Sequence, residues 1–305
     1  MHEIYSHSPE TPSIDAVKCI KGFDQIKAEY SVYLVDESKI SSNPVDYLFF
    51  PKNEGELAAV IKEMALKKVP ITIAGARTGL VGGSVPQRGA LISLEYFDAV
   101  EAIHHDPFSG EWLIRAQTGV SLKALDSMLR IKKFPTLEAS TDETCINELK
   151  CFKEEKTSYF YPPDPTEMSA SLGGSVVTNA SGARTYRFGP TRAWVRGIRV
   201  FLANGEYLDI PRGKYFASPA GRFIVYDSEG GSASFMIPDY PLPRTKSTSG
   251  IFTAPQMDLI DLFIGSEGVF GIVTRVDVAL MKREEKISIV EFVESDEQAV
   301  DLTIA

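Results

Sequence analysis

Three glycine-rich segments hold the residues of this chain that could bind a ligand and do chemistry on it. The first covers residues 73–86 (IAGARTGLVGGSVP) and follows a predicted strand. Glycine allows conformations in which several backbone N–H groups point toward one position, and such a nest binds phosphate oxygens. The spacing matches neither a Walker loop nor a Rossmann fingerprint. A glycine-rich hairpin loop without a ligand is the alternative interpretation. Its four glycines are Gly75, Gly79, Gly82 and Gly83.

The second segment covers residues 161–182 (YPPDPTEMSASLGGSVVTNASG). Three prolines in four positions make its first part extended and rigid. Small residues follow, and they let a flat ligand approach the backbone. Its hydroxyl and amide groups can hydrogen-bond a polar ligand. These groups belong to Thr166, Ser169, Thr178, Asn179 and Ser181. A tightly packed turn is the competing interpretation.

The third segment covers residues 264–274 (IGSEGVFGIVT), in which three glycines lead into a predicted strand. The alternative is the start of a strand with a bulge. The chain also has four histidines, and each is predicted to lie at the surface: His2, His7, His104 and His105.

Composition narrows the class of protein. The 305 residues include 32 Lys and Arg against 41 Asp and Glu, a net charge of −9, which disfavours a partner bound through nucleic-acid phosphates. No stretch reaches the roughly 18–20 apolar residues of a transmembrane helix, and the N-terminus does not resemble a secretory signal. Three cysteines cannot all pair, so a reducing, cytoplasmic location is expected.

The elements that must position these segments follow from periodicity and turn signals. Strands are predicted at 48–51, 70–74, 90–94, 112–119, 196–203, 206–210 and 269–281. Helices are predicted at 14–23, 54–68, 121–131 and 257–264, with a further strand and then a helix after residue 286. Asn53 and Glu56 form a capping box, and Asn204-Gly205 predicts a hairpin with a type I′ turn. Residues 140–160 are interpreted as an irregular surface insertion and 213–256 as a long loop.

In their order and separation, the three segments resemble the FAD-linked oxidase family with a vanillyl-alcohol-oxidase (PCMH-type) flavin domain. The resemblance is strongest to the glycolate oxidase, D-lactate dehydrogenase and alkyldihydroxyacetone-phosphate synthase flavoproteins. The stretches that carry it are residues 75–86, 162–189 and 264–274, and it extends over about residues 47–281. Three ordered motifs are far more specific than one.

The resemblance implies that the first segment wraps the FAD pyrophosphate through backbone N–H groups. The second would lie against the ribityl chain, pyrophosphate and isoalloxazine ring, and the third near the adenosine half. The cofactor-binding residues implied are Ile73, Ala74, Gly75, Ala76, Arg77, Thr78, Gly79, Gly83, Pro163, Asp164, Pro165, Thr166, Glu167, Met168, Ser169, Ala170, Gly173, Gly174, Thr178, Asn179, Ala180, Ser181, Gly182, Glu267, Gly268, Gly271, Ile272 and Val273.

Three positions, Arg77, Thr78 and Lys246, bear on how the flavin and the substrate would be bound. The family usually has glycine where this chain has Arg77, whose charge would favour a diphosphate but whose side chain would crowd a nest built for glycine. Some members attach flavin through a histidine at the position of Thr78, so the resemblance implies non-covalent FAD. Lys246 is a candidate for a position near the flavin or an anionic substrate, and an exposed loop lysine is the alternative.

The fold implied is α+β, with two subdomains that hold FAD between them. The first has a small, mainly parallel sheet, and the second has a larger, mainly antiparallel one. The predicted division is an N-terminal helical extension (1–46), a first subdomain (47–99), a second subdomain (100–283) and the start of a substrate domain (284–305).

The implied function is FAD-dependent oxidation of a 2-hydroxy acid or related alcohol, with hydride transfer to the flavin N5. That reaction needs a base and a cation for the carboxylate. In the relatives, catalytic and metal-binding histidines lie in the substrate domain, so no metal site and no catalytic base are assigned here. A flavin-binding module that needs a further domain or a partner subunit is the alternative. A reductase on the same scaffold, as in cell-wall synthesis, ranks below both.

Overall fold

The computed structural model describes residues 3–164, 166–243, 251–285, 287 and 289–304. Its strands are β1 (Ile4–Tyr5), β2 (Lys18–Lys21), β3 (Tyr47–Phe50), β4 (Ile71–Ala74), β5 (Ala90–Ser93), β6 (Val100–His105), β7 (Trp112–Gln117), β8 (Tyr159–Phe160), β9 (Val195–Phe201), β10 (Tyr207–Pro211), β11 (Arg222–Tyr226), β12 (Ser232–Met236) and β13 (Ile272–Lys282). Its helices are α1 (Phe23–Glu29), α2 (Glu54–Leu66), α3 (Leu122–Ile131), α4 (Pro135–Glu138), α5 (Glu143–Glu154), α6 (Leu172–Val177), α7 (Thr185–Phe188), α8 (Ile260–Phe263) and α9 (Asp296–Ile304). Short 3-10 helices cover Ile14–Ala16, Ser31–Leu34 and Thr191–Trp194.

The small sheet has the strand order β2-β3-β5-β4 and is parallel except for β2. Alternate strand residues point to opposite faces, so each face builds its own core. Phe49 and Ile92 pack on α2, whereas Phe50 and Leu91 pack on Ile26 and other N-terminal residues. The N-terminal part of the chain therefore forms one layer of this subdomain, and the small parallel sheet that the resemblance implied is confirmed.

Helix α2 begins where the sequence predicts. The Asn53 side chain accepts a hydrogen bond from the Glu56 amide at 2.9 Å, and the Glu56 carboxylate accepts one from the Lys52 amide at 2.8 Å. The first bond satisfies an N–H group that the helix start leaves unpaired, and the second fixes the residue before the N-cap. The apolar stripe of α2, which includes Leu57 and Ile61, is buried.

The large sheet has the order β10-β9-β13-β7-β6, and every pairing in it is antiparallel. Its central strand is the eleven-residue β13, and β8 pairs with the end of that strand. One face packs on α3, α5 and α6. The other face carries ion pairs such as Arg115 with Asp277, bonded through two contacts of 2.7 and 2.9 Å. The larger antiparallel sheet is thus confirmed.

The predicted loop at 213–256 is wrong in part, because β11 and β12 form a hairpin there, to which β1 adds in parallel. Glu206 secures this third sheet. Its buried carboxylate accepts hydrogen bonds from the hydroxyls of Ser6 (2.5 Å), Ser8 (3.1 Å) and Ser228. Burial opposes ionisation of Glu206, but these hydrogen bonds and one from Asn204 outweigh it and lower its pKa to about 2.

The helix predicted over 14–23 is wrong. Residues Lys18–Lys21 instead form β2, because their backbone pairs with β3, and Gly22 with φ of +88° separates that strand from α1. A tertiary pairing overrides the local three-residue spacing here. The division of the chain into an extension, two subdomains and the start of a substrate domain, with boundaries after residues 46, 99 and 283, stays a prediction.

The irregular insertion predicted at 140–160 is also wrong. It contains α5, which Asp142 caps by accepting hydrogen bonds from the amides of Thr144 (2.8 Å) and Cys145 (3.1 Å). Leu149 and Phe152 bury the inner face of α5.

The Asn204-Gly205 hairpin is confirmed, but its turn type is not. The Gly205 amide donates to the Leu202 carbonyl at 3.0 Å, and of these turn residues only Gly205 takes a positive φ. In the last segment, α9 forms as predicted, while the described residues between 287 and 293 form no strand. No helix in the described part of the chain has the length and apolar character of a membrane span.

Candidate functional site

A cavity of about 580 Å³ lies where the three glycine-rich segments meet. Its volume falls within the roughly 300–1,000 Å³ range of small-molecule sites. The residues that line it are Ile73, Gly75, Ala76, Arg77, Thr78, Gly79, Leu80, Val81, Gly83, Ser84, Leu94, Thr118, Glu167, Ala170, Ser171, Gly173, Gly174, Ser175, Val177, Thr178, Asn179, Ala180, Ser181, Glu267, Gly268, Gly271, Ile272 and Val273.

The first wall is the glycine loop, defined here as residues 75–86, which follows β4. The amide N–H groups of residues 76–81 donate no hydrogen bond to any residue that the structure describes. Arg77 in this run has φ of +59°, a left-handed conformation that is unusual for a residue with a side chain. A run of free amides next to a cavity is a binding surface for an anion.

The second wall is α6, whose N-cap is Ser171. A Cβ on Gly173 would lie only 2.3 Å from the Thr118 Cβ, so glycine lets α6 lie directly against the end of β7. A Cβ on Gly75 would lie 2.6 Å from the Ser171 hydroxyl oxygen. Glycines thus allow the glycine loop and α6 to approach closely, which places both segments on one cavity.

The third wall is the turn that leads into β13. The Glu267 amide donates to the Val177 carbonyl at 2.7 Å, and the Gly265 amide donates to the Val176 carbonyl at 3.1 Å. Both Gly265 (φ +84°) and Glu267 (φ +52°) are left-handed. Backbone hydrogen bonds therefore fix this turn to the end of α6.

Arg192 ties the second and third walls together, although it does not line the cavity. Its amide donates to the Asn179 side-chain oxygen at 3.0 Å, and its guanidinium donates to the Asp261 carboxylate at 2.7 Å and to the Ile264 carbonyl. Arg212 also donates to the Asp261 carboxylate, at 3.1 Å. Burial lowers the pKa of Arg192, and the contact with Asp261 opposes that shift.

Three charged side chains line the described part of the cavity. Arg77 is positive, whereas Glu167 and Glu267 are negative. Hydrogen bonds from Ser169 lower the pKa of Glu167, which keeps this exposed carboxylate ionised. An anionic ligand must therefore rely on backbone amides and on Arg77.

The structure brings most of the predicted cofactor residues to the cavity. Those that do not line it are Ala74, Pro163, Asp164, Thr166, Met168, Ser169 and Gly182. Ala74 is buried at the end of β4, and Asp164 forms an ion pair with Arg184 at 3.2 Å. Pro165 and Lys246 lie outside the described residues.

Eight residues line the cavity that the sequence did not single out: Leu80, Val81, Ser84, Leu94, Thr118, Ser171, Ser175 and Val177. Six of them lie within the glycine-rich segments and could have been found there. Leu94 follows β5 and Thr118 follows β7. These two residues line the cavity only because of how the strands are arranged in the fold. None of the described histidines, His7, His104 and His105, lines the cavity.

Comparison with known families identifies the class of protein that this fold and site define. The model of the FAD binding domain family matches residues 45–146 and 148–211, which is more than half of the chain. The chain belongs to this family, and its fold is the α+β, two-subdomain PCMH-type flavin fold. FAD is accordingly its cofactor.

The curated relatives include proteins named as dehydrogenases and as an oxidase subunit. A D-lactate dehydrogenase of Anaerostipes hadrus is 30% identical over 233 residues, which are 76% of this chain and 35% of that protein. Glycolate oxidase subunit GlcD of Bacillus subtilis is 26% identical over 266 residues, 87% of this chain and 43% of that protein. A D-2-hydroxyglutarate dehydrogenase of Xanthomonas citri pv. viticola is 27% identical over 232 residues, covering 75% and 35%. The matched residues cover less than half the length of each of these proteins.

The residues present fit FAD. The free amides of the glycine loop suit a diphosphate, and the small residues of α6 and the turn after it leave room for a flat ring. The buried polar side chains of that wall already hydrogen-bond within the protein and fix its shape: Thr118, Ser171, Ser175 and Asn179.

Proposed function

We propose that this chain is an FAD-dependent oxidoreductase that oxidises a 2-hydroxy acid or a related alcohol. The observation that carries the proposal is the convergence of three glycine-rich segments, far apart in sequence, on one cavity of about 580 Å³. The names of the curated relatives, which refer to D-lactate, glycolate and D-2-hydroxyglutarate, support this substrate class.

The chain's own residues would bind and orient the cofactor. The amides of residues 76–81 would hold the diphosphate, and the wall from Ala170 to Ser181 would lie along the ring and ribityl chain. When bound, FAD supplies the hydride acceptor. Some predicted cofactor contacts, such as Asp164, do not line the cavity. They remain part of the proposal because they are close along the chain to residues that do line it.

The proposed attachment of FAD is non-covalent. Thr78 lines the cavity at the position where some relatives have a flavin-linked histidine. A threonine hydroxyl is a hydrogen-bonding group and a poor nucleophile without an adjacent base. Denaturation in acid followed by filtration should therefore release all of the flavin from the protein.

Substrate oxidation is tested by mixing the flavin-loaded chain anaerobically with D-lactate, glycolate and D-2-hydroxyglutarate in turn. The proposal predicts loss of the oxidised flavin absorbance with at least one of them. A chain that binds FAD but is reduced by none of these acids, nor by related alcohols, would contradict the oxidoreductase assignment for the isolated chain.

That second outcome would favour a flavin-binding module completed by a further domain or a partner subunit. One observation supports this candidate. Among the described residues that line the cavity there is no histidine to act as a base, and the carboxylates there are those of Glu167 and Glu267. Lys246 stays a prediction as a residue near the flavin or an anionic substrate. A cytoplasmic location, proposed from the three free cysteines, is tested by cell fractionation.

A further inference from the structure

Residues 31–43, here named the bracing segment, lie outside the range matched by the family model and pack against the outer side of the glycine loop. The Ser84 hydroxyl donates to the Asp36 carboxylate at 3.4 Å, and the Asn43 amide donates to the Pro86 carbonyl at 3.2 Å. A Cβ on Gly82, whose φ is +76°, would lie 2.7 Å from the Ile40 Cδ1. The bracing segment therefore follows the glycine loop closely over its second half.

At the first half of the glycine loop, the contact is between two side chains. The Arg77 guanidinium lies 4.4 Å from the centre of the Tyr33 ring, a cation–π geometry, and its Nη1 donates to the Gly75 carbonyl at 3.4 Å. Tyr33 is itself fixed, because its hydroxyl donates to the Glu95 carboxylate at 2.5 Å and its ring meets Phe50 edge-on. Burial, together with the Glu95 contact, raises the pKa of Tyr33 to about 12, so its hydroxyl stays protonated.

This contact explains how an arginine fits a position suited to glycine. The left-handed backbone of Arg77 is costly for a residue with a side chain and persists only where the surroundings hold it. Tyr33 holds the guanidinium of Arg77, which is a residue of the cavity lining. Among the described lining residues, this guanidinium is the single positive charge beside two carboxylates.

We infer that the bracing segment is part of the cofactor site: Tyr33 positions Arg77, and Arg77 supplies the positive charge that the cavity offers to the diphosphate of FAD. The inference rests on the proposed placement of FAD in the cavity. It assigns Arg77 to phosphate binding, and it assigns positioning to Tyr33, which lies outside the residues matched by the family model.

The test of the charge is Arg77→Gly. Glycine adopts φ of +59° without strain, so the backbone of the loop can keep its shape while the cation and its contacts with Tyr33 and the Gly75 carbonyl are lost. FAD and riboflavin, which has no phosphate, are titrated at low and high salt. The Kd for FAD should rise about fivefold at low salt, with a smaller effect at high salt. Riboflavin should bind the variant and the wild type about equally, because it has no phosphate that could interact with the charge of Arg77.

The test of the positioning compares Tyr33→Leu with the conservative Tyr33→Phe, which keeps the ring and loses only the bond to Glu95. We expect Tyr33→Leu to raise the Kd for FAD about threefold and Tyr33→Phe to restore it to near the wild-type value. In the flavin-free proteins, trypsin should cleave the Arg77–Thr78 bond faster in Tyr33→Leu than in Tyr33→Phe, because cleavage requires the loop to open.

Three results would overturn the inference. One is wild-type affinity for FAD in Arg77→Gly at low salt, another is an equal loss of riboflavin affinity, and the third is indistinguishable behaviour of the two Tyr33 variants. If the wild-type chain binds neither flavin, the proposed function fails instead. The trypsin comparison then still decides whether Tyr33 holds Arg77.

Discussion

On the small-sheet side of the cavity, the amides of residues 76–81 donate no hydrogen bond within the described chain, whereas most amides of the opposite walls, such as those of Gly173, Ala180 and Glu267, donate one. There Arg192 joins Asn179 of α6's C-terminal turn to Ile264, and the Glu267 amide bonds to the Val177 carbonyl. One side thus presents free donors to a ligand and the other holds a fixed shape. The difference indicates that ligand affinity depends on the glycine loop and that the geometry of the site depends on Arg192.

The largest effect that would test this contrast is expected from Arg192→Met. The substitution leaves the Asp261 carboxylate buried with Arg212 as its remaining cation and removes the donor to Ile264. A loss of about 3 kcal/mol in the free energy of unfolding is expected, since the variant breaks a buried ion pair and leaves Asp261 with the longer contact to Arg212. Urea denaturation measures it.

Arg196→Met is the matched control. Arg196 pairs with Glu111 through two 2.8 Å bonds, and both side chains are about a quarter exposed. It lies outside the cavity wall and should cost about 1 kcal/mol. Equal losses in the two variants would contradict a special role for Arg192.

A smaller loss is expected from Gly173→Ala, which would place a methyl group 2.3 Å from the Thr118 Cβ and force α6 away from β7. Overpacking of this kind costs about 1–3 kcal/mol. The control is Gly79→Ala in the glycine loop, where the new Cβ would meet only the Asp36 carboxylate at 3.7 Å. Thermal denaturation should separate the two variants clearly, and a larger loss in Gly79→Ala would show that the loop, not α6, is the tightly built side.

The smallest effect concerns Glu206, a fully bonded carboxylate that contrasts with the exposed Glu267 of the cavity. Its pKa of about 2 lies below the ordinary value of 4.5, so ionisation stabilises the fold above about pH 5, and this contribution is lost as the pH falls toward 2. Glu206→Gln should therefore cost about 1–2 kcal/mol at pH 7 and progressively less in acid. Urea titrations of both proteins at several pH values test this, and a difference that is constant with pH would refute it.

Much of the fold could be predicted because its signals are local. The capping box at Asn53 and the alternation along β13 depend on neighbouring residues alone. By contrast, β2 carries a helical spacing and becomes a strand only because β3 pairs with it. Helix α5 has its apolar residues among many charges, and most of β12 is exposed, so neither shows a clear period.

The site was predictable for a similar reason. Glycine-rich segments can be recognised in the sequence from their composition alone, and the structure brings all three together at one cavity. Thr118 gave no signal, because its place on the cavity follows from β7 lying beside β13. Nor could spacing alone show that Tyr33, 44 residues before Arg77, would contact it, since that contact needs the N-terminal layer on the small sheet.

The central claim is that the three glycine-rich segments form one FAD site. It is tested most directly by purifying the chain, adding FAD, removing the excess and recording the visible absorbance against protein concentration. A yellow protein that retains one FAD per chain is expected. A colourless protein that fails to retain added FAD while folded, as judged by circular dichroism, would contradict it.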